Sequence, residues 1–191
     1  MEKLSLTEIP KDIYLFENIT PVIHSKKKSM QLCTQPYYKH SKGCPNFNEK
    51  EGCPPNILHI SEEYDLTSLH ALVLQFPFEQ YINLKREIHP DWTNRALANQ
   101  RHWQSHLRAT LLNQYDSEIK EQYPNHTLIL NPEGQGINVE ETLKTVGIQL
   151  DWCKQNEEGE ITEFPEYIYH VYFLGERFPL DRKDSLTPIE I

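Results

Sequence analysis

The run Leu69-His70-Ala71-Leu72-Val73-Leu74-Gln75-Phe76, closed by Pro77, is almost continuously apolar. A half-buried strand alternates; a short run that does not alternate, and that ends at a proline, predicts a strand buried on both faces. Such a strand needs neighbours in a sheet and a covering layer on each side. Tyr167-Ile168-Tyr169-His170-Val171-Tyr172-Phe173-Leu174 is a second strongly β-prone run, and Ile13 to Phe16 and His126 to Leu130 are shorter ones. Pro90-Asp91 opens the longest helical pattern, with Asp91 as candidate N-cap and Pro124 beyond its end. Trp92, Ala96, Trp103, Leu107, Leu111, Tyr115 and Ile119 recur at the spacing of one helix face, which should pack on the sheet. Asn138, with Glu141 three residues later, has the form of a capping box that opens a helix through Val146, stopped by Gly147. The fold class is therefore α/β or α+β: a single layered domain over 1–191 with a central sheet, one long helix and an extended cysteine-bearing loop over 30–57.

The 191 residues carry a formal charge of −9, which disfavours nucleic acid and anionic membrane as partners. The charge is uneven. Residues 1–60 hold eight lysines against six acids, a balance of +2, and Lys26, Lys27, Lys28, Lys39, Lys42 and Lys50 all surround the cysteines. Such a field suits thiolates, an anionic cluster or a small anionic substrate, although a solvated lysine surface would look the same. The start MEKLSLTEIPKDIY has no basic run followed by an apolar stretch, so no secretory leader is expected. No apolar run approaches the roughly 20 residues that span a membrane. A cytoplasmic location follows as the expectation, and there clustered cysteines serve as ligands or catalysts more often than as disulfides.

Three of the four cysteines fall in Cys33-TQPYYKHSKG-Cys44-Pro45-NFNEKEG-Cys53-Pro54-Pro55. The segment is rich in Pro, Gly, Asn and Lys and has neither a helical nor an alternating period, so it reads as a loop ordered by ligation. A metal site needs thiolates that converge from a sharply turning backbone, and Gly43-Cys44-Pro45 and Gly52-Cys53-Pro54-Pro55 have that form. Proline after a ligand cysteine is frequent in iron–sulfur proteins, but the spacings match neither the ferredoxin run nor a zinc ribbon. Three cysteines can hold a [4Fe–4S] cluster with one iron open to a substrate or to sulfur chemistry. His40 or Cys153 can instead supply a fourth ligand. A Cys33, His40, Cys44, Cys53 set would close a structural zinc site, leaving a protein or nucleic-acid interaction module. Cys153 has an ordinary reading as a small buried core residue.

Cys-Pro-Asn-Phe and Gly-Cys-Pro-Pro, followed some eighty residues later by Gly136-Ile137-Asn138-Val139 and Thr142 to Gly147, resemble a family of predicted metal-binding proteins of unknown function. Its members pair an early cysteine segment ending in C-P-P with a late G-I-D-V helix start. The resemblance covers about a third of the chain and implies metal or iron–sulfur binding at Cys33, Cys44 and Cys53. Family members also carry a second cysteine-rich stretch before the late motif, where this chain has Asn131-Pro132-Glu133-Gly134-Gln135.

Elsewhere, His102 and His106 stand four apart on the expected long helix, along a strip with Arg95 and Asn99. Two imidazoles at that spacing can share a metal, but the glutamate of H-E-x-x-H is missing, which excludes that protease motif. The functional reading of Arg95, Asn99, His102 and His106 is a polar wall that faces the cysteine loop and an anionic cofactor or ligand. Gly134-Gln135-Gly136 lacks the remaining glycine of a dinucleotide fingerprint and the lysine of a P-loop. Tyr37-Tyr38 with nearby lysines could stack a nucleic-acid base, a minor possibility in an acidic chain. The reaction, and whether there is one, is not written in these motifs.

Overall fold

The structure is a computed structural model that describes residues 6, 9–37 and 40–179. Tyr38 and Lys39, named above, lie outside the described residues. A four-stranded antiparallel sheet forms the centre, from β1 (Asp12–Phe16), β2 (His70–Pro77), β3 (His126–Ile129) and β6 (Tyr167–Glu176), in the order β1-β2-β6-β3. A two-stranded ribbon, β4 (Lys154–Gln155) with β5 (Ile161–Glu163), stands apart. Helices are α1 (Lys26–Thr34), α2 (Ile60–Glu63), α3 (Phe78–Ile88), α4 (Asn94–Leu97), α5 (Gln104–Gln114) and α6 (Val139–Lys144). The class is α+β, and no helix among the described residues is long and apolar enough to cross a membrane.

The apolar run at 69–76 is the second strand of the sheet and is buried on both faces, as its lack of alternation requires. Leu72, Leu74 and Phe76 point into one core with Phe78, Tyr81 and Ile82 of α3 and Leu107 and Leu111 of α5. Ala71 and Val73 point into the other, with Ile60, Tyr64, Ile129, Ile137, Val139 and Leu143. Pairing Val73 with Val171 and Leu74 with His170 puts β6 in the same two-faced position. Two stacked cores share one sheet, and β2 and β6 contribute to both.

The long helix is shorter than its periodicity suggests. Thr93 and Asn99 turn their side-chain oxygens onto the backbone N–H groups of Ala96 and Arg101, restarting the chain as α4 and then as a 3-10 turn at Gln100–His102. Only from Gln104 does it run unbroken, through α5 and a π-helical turn at Tyr115–Ile119. Besides the single turn of α2, two helices were not read from the sequence. One is α3, whose buried Phe78, Tyr81 and Ile82 recur at helical spacing. The other is α1, capped by Ser25, which reaches Thr34, so the first cysteine stands on a helix and the loop begins after it.

The cysteine segment docks onto the turn after β3. His24 N–H donates to the Gly136 carbonyl at 2.8 Å, Asn138 N–H to Val22 O at 2.7 Å, and Ile60 N–H to Gln135 O at 2.8 Å. His59 is buried and bridges the junction: Nε2 lies 2.7 Å from His24 O, and Nδ1 lies 2.8 Å from the Ser61 hydroxyl. Gly136 has φ +102°, and a Cβ there would stand 2.4 Å from His59 Nε2. Gly147 has φ +82° but open space around it. Gly136→Ala is therefore expected to cost ~3 kcal/mol or more, because both backbone and neighbour must yield, against ~1 kcal/mol for Gly147→Ala. Urea unfolding of the two variants checks this, and equal losses would contradict it.

Candidate functional site

The geometry of the cysteine segment comes from short backbone links. Cys44 N–H donates to the Cys33 carbonyl at 2.7 Å, hanging the second cysteine from the last turn of α1. Gly43, at φ +85°, makes this possible: a Cβ there would lie 2.5 Å from Cys33 O. Asn48 N–H reaches Pro54 O at 2.8 Å and Cys53 N–H reaches Lys50 O at 3.0 Å, folding the third cysteine back beside the second. The Pro54–Pro55 bond is cis. Gly52 then packs on the Asn131 side chain, and Gly134 lies near Pro54. Gly52 and Pro54 thus meet the turn at 131–134, some eighty residues away in sequence.

All four thiols are free and half-buried. Burial pushes the Cys33 thiol up, and the nearby charges of Cys44 and Cys53 push it further, so the three share one electrostatic neighbourhood. Among the described residues, no three His, Cys, Asp or Glu side chains are arranged as a metal centre. His40 stacks on Tyr37, with ring centres 4.6 Å apart. Cys153 packs against the α3/α5 core, and burial raises its pKa.

Beside the thiols lies a chamber of about 750 Å³, within the range of small-molecule sites. β3 pairs β6 only from Phe173 to Glu176, and the chain then turns away through Leu130 and Asn131. The chamber occupies this gap, against Ile168 to Val171 of β6. Cys33, Cys44 and Leu32 form one wall, Gln100, Trp103, Gln104 and Arg108 another, Asn131 to Gly134 a third, and Leu150 to Cys153 a fourth.

Among the ionisable groups that line it, which include Glu140 and Asp151, three sit together. His170 occupies an inward position on β6, and its Nε2 is buried without a hydrogen-bond partner. Burial, helped by the positive charge of Arg108, pulls its pKa down to about 4. Glu133 meets solvent through the chamber, but protein surrounds its carboxyl closely enough that burial raises its pKa, against the pull of its own backbone N–H and of Arg108. Arg108, on the outer turn of α5, has no ion pair with a described residue, and its charge reaches both others without contact.

None of Arg95, Asn99, His102 and His106 lines the chamber. Arg95 donates to the Gly159 carbonyl, and Asn99 caps the 3-10 turn. His102 faces Trp92 at 5.1 Å between ring centres. His106 is partly buried near Lys11, and both effects lower its pKa. Because the helix restarts at Gln104, the four do not form a strip; Gln100, Gln104 and Arg108 present the polar face instead. Sequence reasoning missed Arg108, Glu133 and His170. For His170 a signal existed, since an imidazole in the middle of a buried run has no ordinary reason to be there.

No family model matches the chain, and no curated protein or solved structure is significantly similar to it.

His170 carries a pH signature. Its folded pKa lies below the ordinary 6.5, so the unfolded chain binds the extra proton first. Its contribution is complete above about pH 6.5 and is lost as pH falls toward 4, by up to ~3 kcal/mol. Glu133, with its pKa raised, acts oppositely and costs stability as pH rises past the ordinary carboxyl range. His170→Gln is expected to flatten the fall in urea-midpoint stability between pH 6.5 and 4; an unchanged slope would show that another group is responsible.

Proposed function

We propose that this protein carries a metal centre on Cys33, Cys44 and Cys53, an iron–sulfur cluster of the [4Fe–4S] type, at the edge of a substrate chamber. The observation that carries the reading is electrostatic: the three thiols are close enough for Cys44 and Cys53 to shift Cys33, while Cys33 and Cys44 open onto the chamber. The donor set suits such a group by its chemistry: each thiol is half-buried, Cys33 in the last turn of α1 and Cys44 and Cys53 each after a tight turn. The resemblance to a family of metal-binding proteins points the same way. When bound, a cluster held by three thiolates would supply a Lewis-acid or sulfur-bearing position facing the chamber.

The protein's own residues have separate duties. Gly43 keeps Cys44 against α1, and the Gly52–Asn131 contact holds the Cys53 turn against the chamber's third wall. Lys26, on α1, pairs with Glu62 of α2 at 3.1 Å, a solvent-exposed link between the two helices. Thiolate ligation also offsets the upward push on Cys33, because a bound metal holds the deprotonated form.

Anaerobic purification, absorbance near 400 nm and iron and sulfide analysis test the reading. A brown protein whose colour is lost in Cys33→Ser, Cys44→Ser and Cys53→Ser, and reduced in Gly43→Ala although its thiols are intact, is the expected result. A colourless protein with one equivalent of zinc that is lost in His40→Ala would replace the cluster with a closed structural zinc site. Colour retained in all three serine variants would remove both.

A further inference from the structure

In the chamber, Arg108 has no ion pair and His170 Nε2 no hydrogen bond with any described residue. Arg108 has a planar fork of donors and no carboxylate from a described residue, although Glu133 shares the space. The two stand near enough to feel each other and too far apart to pair. His170 Nε2 is buried and unpartnered beside them. Buried groups of this kind are normally satisfied, so an orphan next to a free guanidinium marks a place for a ligand atom. Phe78, Trp103, Leu130, Leu150 and Ile168 add apolar surface to the walls, and the carboxylates of Glu140 and Asp151 also line the chamber.

We infer that the chamber binds a small organic anion, with a carboxylate or phosphate head held between Arg108, Glu133 and His170 and an apolar body against Trp103 and Ile168. Arg108 takes the head bidentately. Burial raises the Glu133 pKa, which weakens its repulsion of the head. Neutral His170 meets the same head through Nε2, as donor in the tautomer with the proton there. The inference goes beyond the metal reading and stands whether or not the thiols carry a metal.

The test is titration of the whole chain with hexanoate, phenylacetate and phenyl phosphate, with phenylacetamide as the neutral isostere. Tryptophan fluorescence reports on Trp103 and Trp152, and two-dimensional amide NMR locates the contact. The expected result is saturable binding by at least one anion, with shifts at Arg108 and His170, and affinity weaker by about tenfold or more for phenylacetamide and for Arg108→Gln. Carboxylate against phosphate preference identifies the head. The chain as purified and the chain treated with a chelator should bind the anion equally well, which separates this result from the fate of the metal reading. Arg108 is exposed, so its replacement should leave the melting temperature unchanged. Equal affinity for acid and amide, equal affinity in Arg108→Gln, or no saturation by any anion below about 10 mM would overturn the inference.

Discussion

The docking of the cysteine segment on the rest of the fold depends on one crowded point. At Gly136 the backbone after β3, the strand-like segment at Val22–His24 and the buried imidazole of His59 come within hydrogen-bonding distance of one another. The constraint is volume as well as hydrogen bonding. No side chain fits at position 136, and the two cross-strand N–H···O contacts need the backbones at that separation. His59 also caps α2, whose Glu62 accepts from His59 N–H and pairs with Lys26. One imidazole therefore links the entry to α1, the exit of the cysteine segment and the turn at the chamber wall.

The sheet was legible because its strands carry their reason in their composition. Leu69 to Phe76 has too little polarity to lie anywhere but between two layers, and it does; Tyr167 to Leu174 is enclosed only over its last residues, Tyr172 to Leu174. The cap at Asn138 was equally readable, since its carboxamide oxygen accepts from Glu141 N–H as its spacing suggests. Helix continuity was less so. The apolar period across 92–119 is real, but Thr93 and Asn99 offer the backbone a local alternative that periodicity does not register. In α1, three lysines and few apolar residues conceal a helix that its cap and its docking stabilise.

The chamber was illegible for a different reason. Its walls come from segments spread over most of the chain, and each wall residue has an ordinary local role. Arg108 is one polar position on an amphipathic helix, and Glu133 is one acid in a turn. Only the shortness of β3 brings them together, by leaving part of β6 without a neighbour. A strand edge of this kind is usually covered or charged. Here walls of mixed polarity stand around it at a distance.

The His24–Gly136 contact joins parts of the chain roughly a hundred residues apart, so the neighbourhood of the thiols has no local version. Closing so long a loop is entropically costly, and it holds only when both cores are formed. Site and fold then belong to one cooperative unit. Whatever binds there draws on the stability of the whole protein and returns its binding free energy to all of it.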